Sequence, residues 1–336
     1  MSTILDEWSY IAILSAAGIY VGAFLAFSFD MARRASQESN AHTRSGKIAV
    51  ALTWLGMVVH LAGVVLRGIA AGVVPWATMY EFTITATWMI AVVYLVVSLK
   101  VELRYLGVFV TGLLVLSIAV ATIFFWRPSA TLAVSLRSYW LLIHVVVAML
   151  GTAFFALGAG VAVMQLLQSR RERAVVRSRA AQASEVAADL GEAAYQATAA
   201  GGVNTATEVR PVTEQSEPSR GGGRMARLLA SLPGTDRLEQ LTYRVNIIGF
   251  VFWTFTLIFG ALWAQKAWGR YWGWDVKEVW TFIIWTIYAG YLHAHATRGW
   301  RGDRAAWLAI VGFLSVIFNF TIVNIFFQGW HAYSGL

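Results

Sequence analysis

The sequence predicts an all-α polytopic membrane protein with about eight transmembrane helices. Of its 336 residues, 58% are hydrophobic and only 13% are charged, a balance that soluble globular proteins do not have. Apolar runs long enough to cross a hydrocarbon core of about 30 Å recur along the chain. Each run must be helical, because lipid satisfies no backbone polar group. The runs are 9–29, 48–66, 79–99, 105–126, 139–166, 243–264, 279–296 and 305–328.

Basic residues between these spans predict the orientation of the chain. They concentrate in four regions, 30–47, 100–104, 167–242 and 297–304. The regions alternate along the chain, and positive loops stay on the cytoplasmic side, so both termini are predicted to face outward. This placement also explains the net charge of +8 without a nucleic acid partner. The N-terminus has no basic region before its first apolar run, and we expect no cleaved signal peptide.

By composition the chain divides into three parts. Residues 1–166 form an N-terminal membrane bundle of five spans, and 243–336 form a C-terminal membrane part of three. The segment between them, 167–242, is basic and is predicted to be a flexible cytoplasmic linker. Its middle has almost no large apolar residues and cannot bury enough surface to fold alone. A marginal Ala-rich helix near 180–200 is the local structure that we expect there.

A tryptophan-rich segment, 265–285, lies between spans six and seven and is predicted to be external. It concentrates four indoles and two acids, Trp268, Trp272, Trp274, Asp275, Glu278 and Trp280. Aromatic faces with acids at their rim suit a large, planar, mostly apolar ligand. The alternative is an interfacial tryptophan belt, which accounts for two or three such residues at a helix end. The segment's three cations, Lys266, Arg270 and Lys277, go against the positive-inside rule, which indicates that they have a function.

Two histidines are predicted at the same outer face as this segment. His144 lies at the start of the fifth span, and His331 follows the end of the last one. Taken singly, each is typical of an interfacial histidine with its hydrogen bonds satisfied. Together, beside the tryptophan-rich segment, they are candidates for the two axial ligands of one metal macrocycle such as haem.

A second pair is predicted within the membrane. His60 lies in the second span and His293 in the seventh, while His295 points roughly 200° away from His293 on the same helix. Arg67 lies on the His60 face, nearer the outside, where a cation can meet an anionic propionate. The alternative is that His60 and His293 hydrogen-bond to neighbouring helices.

The residues of the tryptophan-rich segment resemble those of the haem-handling membrane proteins with the "WWD" signature, WGxxWxWDxxExW. Every fixed position is filled, from Trp268 to Trp280. The stretch that continues to His293, the SYWLLIH run to His144 and the terminal GWHAY with His331 extend the likeness. PWATMYEF at 75–82 is similar to the family's P-x-x-N-x-Y-E segment, although Thr78 replaces the usual Asn. Size and span count suit the CcsA/ResC branch of cytochrome c biogenesis, System II, whose members are named CcsB in some bacteria.

This resemblance implies a function and a set of partners. Such proteins move haem b to the outer face of the bacterial plasma membrane. They hold it on the tryptophan-rich segment, here 265–285 and called the WWD segment below, between two external histidines, here His144 and His331. The inner site corresponds to His293, with His60 as its expected partner. A Ccs1/ResB-type membrane partner completes the haem lyase, or synthetase, that links haem vinyl groups to the CxxCH thiols of apocytochrome c. This chain is then the haem-presenting subunit. It has no cysteine, so the thiols belong to the substrate.

Three other functions are alternatives to this one. A b-type membrane cytochrome would keep its haem permanently for electron transfer. A relative within the same superfamily would deliver haem to a separate chaperone with the help of an ABC transporter. A solute transporter is not favoured, because the sequence has no pair of Gly/Pro-broken spans.

Overall fold

The computed structural model describes residues 2–36, 44–76, 78–129, 138–199, 224–297, 300–327 and 329–330. Within these ranges the regular structure is helical throughout. A 3-10 turn, Arg104–Leu106, leads into α4, and a π-helical turn, Ala121–Phe125, ends it. The α-helices are α1 Ser2–Ser36, α2 Arg44–Ala71, α3 Met79–Ser98, α4 Gly107–Val120, α5 Tyr139–Ala199, α6 Arg224–Ala230, α7 Thr235–Trp268, α8 Val276–Ala296, α9 Asp303–Phe320 and α10 Ile322–Phe326.

Seven helical stretches of the described chain are long and apolar enough to cross a membrane, which confirms a multi-pass membrane protein. The eighth predicted span, 279–296, corresponds to α8, which is not among the seven. Its many Trp, Tyr, Thr and His residues lower its hydropathy. A count of eight spans therefore stays a prediction. The seven stretches are Thr3–Arg34, Arg44–Ala71, Met79–Ser98, Arg104–Phe125, Tyr139–Gln196, Thr235–Trp268 and Asp303–Phe326.

Two helix pairs form the frame of the bundle. In the first pair, α1 packs along α2, and small residues let the helices approach closely. A Cβ on Gly56 would lie 2.7 Å from the ring of Tyr20, and one on Gly63 would lie 2.7 Å from Ile13. Because of these close approaches, neither Gly56 nor Gly63 can gain a side chain without separating α1 from α2. In the second pair, α5 packs along α7.

The two membrane parts share one core. Helix α5 belongs to the predicted N-terminal bundle, yet its main neighbours are α7 and α9 of the C-terminal part. Phe155 of α5 stacks on Tyr288 of α8, with ring centroids 3.5 Å apart and an angle of 4° between the planes. The largest cluster of buried apolar residues runs from Ile13 to Val316. The boundary between 1–166 and 243–336 is thus crossed by continuous packing.

The predicted linker 167–242 begins inside a helix. Helix α5 continues past residue 166 as far as Ala199, and α7 already starts at Thr235. Residues 200–223 lie outside the described part of the chain. A lack of large apolar residues argues against a packed domain, but it does not prevent a solvated helix, because Ala, Glu, Gln and Arg are strong helix formers.

The four basic regions meet at one end of the bundle. Arg34 forms an ion pair with Glu102 across 3.6 Å, which joins the first region to the second. Arg173 forms an ion pair with Asp303, whose carboxylate also accepts a hydrogen bond of 2.7 Å from Ser169. This contact joins the third region to the fourth, and packing of α6 on α1 brings the two groups together. That this end faces the cytoplasm stays a prediction.

Candidate functional site

His144 lies in the second turn of α5, and its ring is held by α7. Its Nδ1 donates a hydrogen bond of 2.9 Å to the backbone carbonyl of Thr256. The carbonyl can only accept, so the proton is on Nδ1 and the lone pair of the imidazole is on Nε2. A Cβ on Gly260 would lie 2.9 Å from the His144 ring, so the ring packs directly on bare backbone. This geometry prepares Nε2 as a metal ligand.

A continuous series of aromatic rings runs from His144 to the end of the described chain. His144 stacks on Trp263 with centroids 6.3 Å apart and planes at 16°. Trp263 meets Trp268 edge to face at 4.8 Å, and Trp268 lies 5.9 Å from Trp330. His331, the second predicted ligand, comes directly after Trp330 and lies outside the described residues. The chain immediately before it is therefore at the same end of the bundle as His144.

The four tryptophans of the WWD segment have different neighbours. Trp268 belongs to the series just described, and Trp280 packs on Phe318 of α9 at 4.4 Å. Trp272 and Trp274 form an edge-to-face pair at 5.9 Å. Trp274 is 79% exposed and has a φ of 57°, a conformation that is costly for a residue with a side chain. The exposed aromatic surface of the segment is thus carried by Trp274 and the neighbouring Tyr271.

The side chains of the segment's two acids accept hydrogen bonds from backbone N–H groups. Asp275 and Glu278 form a capping box at the start of α8. The Oε2 of Glu278 also accepts hydrogen bonds from the backbone N–H groups of Gly273 and Asp275, at 2.7 and 3.2 Å. These bonds fix the turn that presents Trp274. Direct contact of either acid with a ligand stays a prediction.

Arg67, predicted to meet a propionate, has two carboxylate partners within the chain. Its side chain is 1% exposed and forms ion pairs of 3.0 Å with Asp6 and with Glu81. It also donates to the backbone carbonyl of Arg127 at 2.8 Å, and its guanidinium lies over the ring of Tyr80. Tyr80 and Glu81 come from the PWATMYEF stretch. Arg67 therefore ties the N-terminus, α2, α3 and the chain after α4 together.

The structure places His60 and His293 in different surroundings. His60 is fully buried, with Nδ1 3.5 Å from the hydroxyl of Tyr20, and the main neighbours of α2 are α1 and α3. His293 is exposed on α8, which packs on α7, α9 and α10. His295, two residues on, faces the bundle: its ring stacks on Tyr243 at 4.1 Å, and Nδ1 lies 3.4 Å from Glu239. Ligation by His60 and His293 stays a prediction.

A cavity of about 420 Å³ lies between α3, α4, α5, α7, α8, α9 and α10. Its size is that of pockets for cofactor-sized ligands, and its walls are largely apolar and aromatic. His144 and Trp263 line one part of it, Trp76 and Phe82 another. None of the four WWD tryptophans lines it. The sequence did not predict this cavity, because its walls come from seven helices that are distributed along the chain.

Lys277 also lines this cavity and was not predicted as a site residue. Its ammonium donates a hydrogen bond to the side-chain oxygen of Asn324. Lys277 lies outside the seven apolar stretches; burial lowers its pKa to about 8, although the charge of Asp275 acts in the opposite direction. The signal that could have identified it is its violation of the positive-inside rule. That signal does not distinguish Lys277 from Lys266, which is exposed.

The chain is similar to known proteins of cytochrome c assembly. The family described as "Cytochrome C assembly protein" matches residues 76–331. The cytochrome c biogenesis protein CcsA of Nostoc punctiforme is 32% identical over 291 residues, which are 80% of this chain and 82% of that protein. The protein of the same name from a Picosynechococcus species is 30% identical over 313 residues, 87% of this chain and 88% of that one.

A solved structure has a similar fold. The cytochrome c haem lyase CcmF aligns with a TM-score of 0.55 at 16% identity, over 95% of this chain and 47% of that one. The chain thus spans about half the length of that structure. At this level of identity the likeness concerns the fold alone.

Proposed function

The chain belongs to the cytochrome c assembly protein family, and we propose that it brings haem b to the outer face of the bacterial plasma membrane and presents it there to apocytochrome c. Membership of the family assigns the chain to cytochrome c biogenesis. The proposal concerns the substrate, the residues that bind it and the direction in which it is presented.

The observation that carries the proposal is the ring series His144, Trp263, Trp268 and Trp330. It links one predicted axial ligand to the residue directly before the other. A ligand held between His144 and His331 would lie against these indoles. Haem suits such a place, since its ring is planar and apolar and its iron is commonly held by neutral imidazole.

The donor set of the site fits haem. The hydrogen bond to Thr256 leaves the lone pair of His144 on Nε2, the form that coordinates iron. The adjoining cavity is apolar and of a size suitable for part of a large ring. Ligation by two imidazoles would fill both axial positions, limit attack by oxygen and favour the reduced state needed for thioether formation.

The chain's own part in the reaction is to position the substrate. The indoles hold the ring while the vinyl edge stays accessible to the two thiols of a CxxCH motif. The histidine of that motif can then replace one of the chain's imidazoles, which releases the product. We propose a Ccs1/ResB-type partner for the synthetase, as the resemblance of the WWD segment implies.

For the inner site, the surroundings of His293 and His60 favour a second axial ligand that comes from outside the chain. His293 is exposed on α8, whereas His60 is enclosed by α1 and α3. We propose that His293 binds haem at a surface that a partner subunit covers. His60 would need a rearrangement of the first helix pair to reach the same haem.

The test is an absorption spectrum of the detergent-purified protein, co-expressed with its partner, with and without dithionite. We expect a bis-histidine b-type spectrum that His144→Ala strongly reduces and that added imidazole restores. His295→Ala is the control, since His295 faces Tyr243 and Glu239. An unchanged spectrum in His144→Ala would overturn the external site. Haem that stays bound after incubation with apocytochrome c would support the rival function, a permanent cytochrome.

A further inference from the structure

Among the described residues that line the cavity beside His144, Lys277 alone carries a formal charge. Its ammonium is directed by two contacts. The side-chain oxygen of Asn324 accepts from it, and the amide nitrogen of Asn324 donates to the backbone carbonyl of Phe320 at 2.7 Å. The second bond orients the amide so that its oxygen faces Lys277. The cavity therefore has one cationic end, built by α8 and α10.

The acid whose charge acts on this cation is Asp275. None of the ion pairs found in the described part of the chain includes Lys277. Asp275, two residues earlier, is engaged in the capping box of α8 and lies against Gly329. Burying a cation is costly, and a carboxylate ligand in the cavity would add a second negative charge beside this ammonium.

A second polar group at this end has unused hydrogen-bonding capacity. Asn319 is 5% exposed and lines the cavity beside Lys277 and Asn324. Its amide nitrogen donates to the hydroxyl of Thr281 at 3.3 Å, but its oxygen has no hydrogen-bond partner among the described residues. This unused oxygen can only accept, so it is available to a donor such as water and would not itself pair with a carboxylate.

We propose that Lys277 is the carboxylate-binding residue of the haem site, pairing with a propionate of the bound ring. This inference rests on the proposed function and adds a residue that determines how the ring is oriented. One cavity offers an imidazole for the iron, apolar walls for the ring and an ammonium for a carboxylate. In haem b the propionates and the vinyl groups lie on opposite halves of the ring, so anchoring the propionates at α8 turns the vinyl groups away from it.

The experiment compares two probes, haem and its dimethyl ester, in absorption titrations of the purified complex after removal of bound haem. The ester keeps the iron and the ring but has no carboxylates. We expect the wild type to bind haem at least about tenfold more tightly than the ester, the ratio that corresponds to one charge-assisted contact of about 1.4 kcal/mol. Lys277→Met should lose this preference by weakening haem alone. Lys47→Met, at an exposed lysine of α2 outside the cavity, should keep it.

The possible outcomes separate this inference from the proposed function. A wild type that binds neither probe would overturn the proposed function. A wild type that binds both probes equally would overturn the role of Lys277 alone, and so would a preference that survives in Lys277→Met. If Lys277→Met does not fold, Lys277→Gln and the ester comparison in the wild type still decide. Sodium oleate, an apolar chain with the same carboxylate, is the third probe: if it displaces haem stoichiometrically, the cavity recognises lipid carboxylates and the assignment fails.

Discussion

The imidazole of His144 donates its Nδ1 proton to the carbonyl of Thr256 across 2.9 Å, and this bond joins α5 to α7 at the candidate haem site. It determines which nitrogen can bind a metal and the direction in which that nitrogen points. The bond is possible because α7 presents a glycine, Gly260, against the ring.

Substituting that glycine tests the position of the ligand without removing it. In Gly260→Ala the new methyl group would lie 2.9 Å from the His144 ring, too close for the ring to keep its place. We expect haem affinity to fall about tenfold or more, equivalent to at least about 1.4 kcal/mol, with helix content unchanged. Absorption titration measures this effect. Gly18→Ala is the matched control, because nothing lies within 4 Å of its new methyl group; equal affinities in both variants would contradict the prediction.

Trp274 should contribute to haem retention and not to stability. Its ring is largely exposed and its backbone has a positive φ, so Trp274→Gly removes the indole while relieving backbone strain. We expect the melting temperature to stay equal or rise, while haem is lost several-fold faster during washing, in line with about 0.5–1.5 kcal/mol for one aromatic contact. Trp307→Ala, at an exposed indole of α9 outside the segment, should retain haem. Slow loss from both variants would show that Trp274 has no part in binding.

Arg67 should contribute mainly to the stability of the folded chain. Arg67→Met leaves the carboxylates of Asp6 and Glu81 without their cation, and removing one partner of a buried network costs about 3–5 kcal/mol. We therefore expect a large drop in melting temperature. Adding Asp6→Asn and Glu81→Gln should recover much of it, since neutral amides do not need the cation. If Arg67→Met has normal stability but binds haem no more tightly than haem dimethyl ester, Arg67 would instead be a propionate-binding residue.

Substitution of His293 should affect haem content, whereas substitution of His295 should affect stability. His293 is exposed on α8, so His293→Ala should lower the haem content of the complex with little change in the stability of the chain. His295→Ala removes a ring stacked on Tyr243 and should cost about 1 kcal/mol of stability without loss of haem. Haem content and melting temperature, measured on the same preparations, separate the two. The opposite pattern would place the ligand on the inner face of α8.

The orientation in the membrane can be measured with single cysteines, since the chain has none of its own. Tyr271→Cys lies in the WWD segment and is 59% exposed in the wild type, while Val176→Cys lies on the extension of α5 and is 65% exposed. A maleimide that does not cross membranes should label the first in intact cells and the second only after permeabilisation. The opposite labelling pattern would contradict the predicted topology and place the WWD segment on the cytoplasmic side.

Much of the fold follows from hydropathy and charge. Seven of the eight predicted spans have counterparts among the apolar helical stretches, because a lipid-buried segment has to be both long and apolar. Pairs such as Arg34 and Glu102 confirm that the basic regions share one end. Composition indicated a marginal Ala-rich helix near 180–200, but not that this helix would continue the fifth span without a break as α5, which ends at Ala199.

By itself, the sequence determined the class of protein, the family, the WWD segment and the identity of His144 as a candidate ligand. Only the tertiary structure decided which atoms of these residues are available. It assigned Asp275 and Glu278 to the capping of α8, gave Arg67 two carboxylates, and put Lys277 into one cavity with His144. The physical reason is that periodicity and composition are properties of one segment, whereas the partner of a buried polar group comes from another helix whose position depends on packing.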